Sequence, residues 1–311
     1  MGYLNMTPQG THGGVWQAST GVAGDVSDGE LYLITGDGPF DARVKNFGCS
    51  FLRIHPQITA HPDGSIARVD LTVRQYFTPF NQKYLSDIDL DLGSAGVVLI
   101  PDSRQLVGGG KEGYIYLIDR DNMGGYDASG DHFLNSFKAA TNTYLINDAE
   151  LQNRKPSSPA GDPPKWLKWP HIHGTQVYHR FPSGRMFLYL WAKKDYLKVF
   201  EHVGARSFIL RHSTKDLGLL GVAPNQGMPG GMLSLVADPT VPDGGVLFPS
   251  MNTRGYDSTY GAGRLYAFDA MTLELLWQDG WTGPADAISD REGRRREGGW
   301  KTWPAGRAHL R

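Results

Sequence analysis

The chain has 311 residues and a formal net charge of −1, so no global charge draws it to nucleic acid or to an anionic membrane surface. An apolar share of 40% with 20% charged residues is enough for a large buried core. The 40 glycines and 19 prolines come with 11% aromatic residues, which argues for many short strands and turns rather than disorder.

The N-terminus, MGYLNMTPQGTHGG, has no basic segment followed by an apolar run, so a signal peptide is not expected there. No apolar run reaches the roughly 18 residues that a membrane span needs. Cys49 is the single cysteine. It excludes an intrachain disulfide and reads as a small apolar residue beside a strand.

In chain order, strands are predicted at Val15–Ser19, Glu30–Gly36, Ser50–His55 and Ile66–Phe77, the last as an outer strand. A second unit follows at Gly93–Ile100, Gln105–Gly108, Tyr114–Asp119 and Phe133–Phe137. Its centre, QLVGGGKEGYIYLID, is a hairpin signal, with glycines free to adopt the positive φ of a tight turn. Residues 121–170 read as a long polar insertion, including the Pro-rich loop Asn153–Pro164, with about one helical turn near Thr143–Asn153. The third unit is Gly174–His179, Met186–Trp191, Tyr196–Glu201 and Ser207–His212. The fourth is Met232–Ala237, Gly245–Ser250, Arg264–Asp269 and Glu274–Trp277.

The third strand of each unit repeats. Tyr114-Ile-Tyr-Leu-Ile-Asp119 matches Tyr196-Leu-Lys-Val-Phe-Glu201, Arg264-Leu-Tyr-Ala-Phe-Asp269 and, more loosely, Ser50-Phe-Leu-Arg-Ile-His55. Four units of four strands predict an all-β fold, a β-propeller with four-stranded antiparallel blades over about 13–80, 90–140, 171–213 and 229–278. Such blades bury their faces only by stacking. Residues 1–278 form one domain on this reading, and 279–311 an irregular basic tail with Arg294, Arg295 and Arg296. Four blades could close as a small propeller, but they read as an arc of a seven- or eight-bladed ring, with open faces and edges that invite self-association.

The segment GRLYAFDAMTLELLWQ (Gly263–Gln278) resembles the blade of the quinoprotein, pyrroloquinoline quinone-binding-like propeller superfamily: a strand ending Ala-x-Asp, a turn, then a Trp strand. The hairpins GGGKEGYIYLIDRDNMG and WAKKDYLKVFE are similar to its repeats. The resemblance covers about residues 13–278. It implies a bacterial, periplasmic or secreted protein and brings in pyrroloquinoline quinone and calcium as cofactors. The vicinal disulfide of the superfamily's quinone slot has no counterpart here, because Cys49 stands alone.

Candidate ligand-face residues are His12, Lys111, Glu112, Trp166, Trp169, His171, His173, Lys193, Lys194 and Asp195. The lysines sit at inter-strand turns, where lysine is commonly solvated, and offer charge to a carboxylate-bearing ligand. His171 and His173 fall on one face of an extended segment, about 7 Å apart. They are a weak metal pair that needs a third ligand such as His12 or His179. Asp87-Ile-Asp-Leu-Asp91 places three carboxylates on one face of an extended segment, without the glycine and terminal Glu of an EF-hand. Trp166 and Trp169 suggest an exposed binding lip, whereas Trp16, Trp191 and Trp277 read as inter-blade packing. Gly108-Gly-Gly-Lys111 lacks the Ser or Thr and the following helix of a phosphate loop, and no G-x-S-x-G elbow occurs. Met228-Pro-Gly-Gly-Met232 reads as a turn whose glycines allow close backbone approach.

Three functions follow. The first is a propeller used as a binding or scaffold module, with a small ligand or a protein at the channel face. The second is a quinone- or metal-dependent oxidoreductase of the alcohol or sugar dehydrogenase kind. The third is a hydrolase with a histidine-centred site. Nucleic acid is not an expected partner.

Overall fold

Period-2 alternation sets the architecture, because successive side chains on a strand point to opposite faces. The computed structural model describes residues 3–140, 170–174, 176–193, 195–214, 230–252 and 263–279. Among them, four four-stranded antiparallel sheets follow one another along the chain. The first contains β1 (Ala23–Asp25), β2 (Glu30–Ile34), β5 (Phe51–Ala60) and β6 (Ile66–Phe77), with a small hairpin of β3 (Phe40–Asp41) and β4 (Asn46–Phe47) between β2 and β5. The second is β7 (Val97–Leu99), β8 (Gln105–Gly109), β9 (Tyr114–Asp119) and β10 (Asn135–Lys138). The third is β11 (Val177–Arg180), β12 (Met186–Trp191), β13 (Leu197–Val203) and β14 (Ser207–Ser213). The fourth is β15 (Met232–Ala237), β16 (Gly245–Asn252), β17 (Gly263–Asp269) and β18 (Leu275–Gln278).

Alternation then stacks the sheets. On β9, Tyr116 and Ile118 join Tyr32, Ile34, Phe51 and Phe77 of the first sheet, while Ile115 and Leu117 join Leu188, Leu190 and Phe200 of the third. On the far side of the third sheet, Phe187, Tyr189 and Val199 pack against Leu233, Leu247, Tyr266 and Phe268 of the fourth. The outward face of the first sheet, with Leu33, Leu52 and Ile54, is capped by Leu4, Met6, Phe40, Ala42 and Phe47. The first strands of the sheets are neighbours. β1 contacts β7, β11 contacts β15, and Ala95 pairs in parallel with Gly174 just ahead of β7 and β11. Inner strands side by side, with successive strands stepping outward, is the layout of propeller blades.

One predicted element is corrected and one element was not predicted. Val15–Ser19 is not the first strand; Gln17–Ser19 is a 3-10 turn and the strand is Ala23–Asp25. The cause is the Gln17 side chain, whose Oε1 accepts from the Ile34 N–H at 2.7 Å while Nε2 donates to the Thr20 and Gly21 carbonyls. A short helix, α1 (Gln82–Asp87), went unpredicted; it buries Leu85 and pairs Lys83 with Asp87 one turn on. The expected helical turn at Thr143–Asn153, the loop Asn153–Pro164 and the tail from Gly280 lie outside the described residues. Cys49 is fully buried in the first core, where burial pushes its thiol up to about 12.

Candidate functional site

The inner strands all begin at one end of the sheets, and the β8–β9 turn lies at that end. This turn carries Lys111 and Glu112. Gly113 takes φ +82°, the left-handed conformation glycine tolerates, while a side chain on Gly110 would strike the Asp91 and Leu92 carbonyls at 2.3 and 2.4 Å. The turn therefore seats against the segment leading into β7, and the Lys111 N–H donates to the Asp91 carbonyl at 3.0 Å.

Lys111 is a buried cation rather than a solvated turn lysine. Its Nζ donates to Asp89 Oδ1 at 2.7 Å, to the Asp89 carbonyl at 2.9 Å, and lies 2.5 Å from Asp91 Oδ2. It stands 5.8 Å from the centroid of the Trp16 ring. The other oxygen of Asp91 accepts from the Asp37 N–H at 2.7 Å. Burial works against both charges. The two carboxylates outweigh it for Lys111, whose pKa is raised, and the ammonium with the Asp37 N–H outweighs it for Asp91, whose pKa is lowered.

The Asp87–Asp91 run is thus not an extended face. Asp87 ends α1, Asp89 adopts φ +57°, a conformation aspartate tolerates, and the chain doubles so that Asp89 and Asp91 meet at Lys111. Carboxylate oxygens of Asp37, Asp89 and Asp91 lie within 4.8 Å of one another. The Lys111 ammonium already neutralises part of this cluster.

His171 and His173 do not lie on a strand face. They precede β11, both buried, with ring centroids 5.5 Å apart. Burial pushes His173 down to about 3, helped by His171, Lys111 and Lys193, so it is neutral near pH 7. Its ring lies 6.1 Å from Trp16. The glycine pair ahead of β15 is needed here, since a side chain on Gly230 would stand 2.0 Å from the His173 carbonyl. His173 Nδ1 has no hydrogen-bond partner among the described residues, and neither has the side-chain amide of Gln176, although these residues are only 2% and 3% exposed.

The remaining candidates separate. His12 is exposed and hydrogen-bonded to Asp37 at 3.0 Å, which raises its pKa. It is therefore not a third ligand to the histidine pair. Nor is His179 on β11, whose ring packs edge-on against Phe181. Glu112 is buried and accepts from Asn81 Nδ2 at 3.1 Å. Lys193 donates its backbone N–H to the His171 carbonyl at 2.9 Å. Asp195, in the connection between β12 and β13, is fully buried and paired with Lys198 at 2.6 Å rather than open to solvent. Trp166, Trp169 and Lys194 lie outside the described residues. Of the three tryptophans read as packing, Trp191 is in the core between the third and fourth sheets, Trp277 is partly exposed, and Trp16 belongs to this site. Sequence reading missed Trp16, Asp37, Asn81 and Gln176, because nothing in their local pattern marks them; they meet only when sheets one, two and three pack.

No protein-family model and no curated protein matches the chain.

Proposed function

We propose that this chain is a propeller-type binding module, and that it holds a small ligand at the head of the inner strands, among Trp16, Asp91, Lys111, His173 and Gln176. One observation carries the reading. Buried polar atoms are nearly always hydrogen-bonded, and leaving one unpaired costs about 1–3 kcal/mol. His173 and Gln176, both in the segment leading into β11, each bury such atoms. A guest that pairs with them offsets that cost.

The resemblance to quinoproteins suggests pyrroloquinoline quinone with calcium, and the residues fit it poorly. Cys49 is alone and buried. The Trp16 ring has the Lys111 ammonium beside it, and that ammonium is held by two carboxylates rather than open to the cofactor's own.

The test is a thermal-shift screen of anionic, cationic and neutral small molecules, pyrroloquinoline quinone with calcium included, on the wild type and His173→Phe. A ligand binding only the folded protein adds about 2.7 kcal/mol at a hundredfold excess over its Kd. At least one ligand class is expected to raise Tm in the wild type and not in the variant. Identical responses of the two proteins across the screen would overturn the reading.

A further inference from the structure

At the end of β8 away from Lys111, a cleft of about 480 Å³ lies between the second and third sheets. Ile100, Leu134 and Met186 line it and belong to the edge of the core that the two sheets share. One wall is the turn between β7 and β8, and the other is the turn between β13 and β14. Side chains of the second sheet fix that second turn. Gln105 Nε2 donates to the Ala205 carbonyl at 3.0 Å, and Asn135 Nδ2 donates to the Arg206 carbonyl at 2.6 Å.

His202 on β13 lines the cleft and is 5% exposed. Its ring lies flat against Phe208, with centroids 4.5 Å apart, and its Nδ1 meets the Tyr178 hydroxyl at 2.7 Å. Burial raises the pKa of Tyr178. It lowers that of His202, against the Ala205 carbonyl, which raises it. The neutral hydroxyl has one hydrogen to give, and donating it to Nδ1 leaves the ring's own proton on Nε2. Nε2 is buried and has no hydrogen-bond partner among the described residues. Three arginines also line the cleft. Arg104 is held by Asp28 and Asp121, and Arg180 only by the exposed Asp102 at 3.1 Å. Arg206 is exposed and has no ion-pair partner among the described residues. Of the two carboxylates on the walls, Asp102 has Arg180, and Asp119 accepts the Asp121 N–H at 2.8 Å.

We propose that this cleft is a second ligand site, taking a small oxyanion with an apolar tail. A carboxylate or phosphate oxygen accepts from His202 Nε2 and from the Arg206 guanidinium, and the tail lies over Ile100, Leu134 and Met186. Hydrogen bonds to an ionised acceptor are roughly twice as strong as neutral ones. The exposed Arg180–Asp102 pair contributes little to stability, so that guanidinium turns to the ligand at small cost. The volume falls in the range of small-molecule sites.

Isothermal titration of the full chain with hexanoate, hexyl phosphate and hexanol tests this. At least one of the anions is expected to bind about tenfold more tightly than hexanol, and the tighter anion names the oxyanion. Arg206→Gln, a change at an exposed side chain, should weaken that binding about tenfold. His173→Phe should leave it unchanged, which separates this cleft from the site at the Lys111 end. Nuclear magnetic resonance of the histidine ring nitrogens gives a reading that needs no variant: the His202 Nε2 signal should move on binding. Hexanol binding as tightly as both anions, anion binding indifferent to Arg206→Gln, or an unmoved His202 signal would each overturn the proposal. So would loss of anion binding in a folded His173→Phe, or no binding by any of the three compounds.

Discussion

At the scale of single residues, the molecule places charge where solvent is scarce, and Lys111 shows what that entails. Asp91 beside it is buried and depends on the ammonium, whereas Asp89 is exposed at its carboxylate. Removing one partner of a buried pair costs about 3–5 kcal/mol, because the other charge is left uncompensated. An exposed pair contributes about 0–1 kcal/mol. Lys111→Met should therefore lower urea-unfolding stability by several kcal/mol, and Asp89→Asn by less than about 1 kcal/mol. Similar losses for the two variants would refute the burial argument.

His173 gives a pH dependence of defined sign. Its folded pKa is about 3, against an ordinary 6.5, so below pH 6.5 the unfolded chain takes up a proton that the folded one refuses. Its contribution is fully present above about 6.5 and is lost as the pH falls from there towards 3, at about 1.4 kcal/mol per pH unit. His173→Gln should flatten the stability–pH profile between those limits. An unchanged slope would mean that the imidazole is protonated in the folded chain.

At the scale of elements, the β8–β9 hairpin depends on two glycines for different reasons. Gly113 needs its backbone conformation and Gly110 needs its missing side chain. Gly113→Ala forces a left-handed residue, at about 1–2 kcal/mol. Gly110→Ala meets main-chain oxygens that cannot rotate away, so it should cost more and should also disturb the Lys111 ion pair. Gly14 has open space around its missing side chain, and Gly14→Ala is expected to stay within about 0.5 kcal/mol of the wild type. Chemical denaturation of the three variants gives the order directly.

For the whole molecule, stability is distributed by stacking. The second and third sheets bury both faces, and the fourth buries one. Local opening is cheapest where fewest apolar contacts are lost. Amide exchange at low protein concentration should be slowest in β8, β9, β12 and β13 and faster in β15 and β18. Uniform protection across the four sheets would show instead that the stack opens as one unit. At the other end of the stack, Asp25 is held down to about 2 by the Ser27 hydroxyl and N–H and by Arg120. Such a carboxylate stabilises the fold above its ordinary pKa of 3.8 and stops doing so as the pH falls towards 2.

Short apolar runs such as Tyr114–Asp119, bounded by turn residues and repeated along the chain, were enough by themselves to determine the all-β class, the four-strand units and the approximate strand limits. A period of two is a local property that survives in every packing of the sheet. The first strand was misplaced because one side chain, Gln17, hydrogen-bonds the Ile34 N–H and the Thr20 and Gly21 carbonyls, and that pairing is set by the packed chain. Candidate residues were legible only in part. Lys111 and His173 stood out by type, yet the tertiary structure alone decided that Lys111 is buried between Asp89, Asp91 and Trp16, and that His173 faces Trp16 without a partner for Nδ1 among the described residues. The physical reason is distance along the chain. Trp16, Asp91 and His173 come from the segments leading into three different sheets, and the burial that sets the charge states of Asp91 and His173 exists only once those sheets stack.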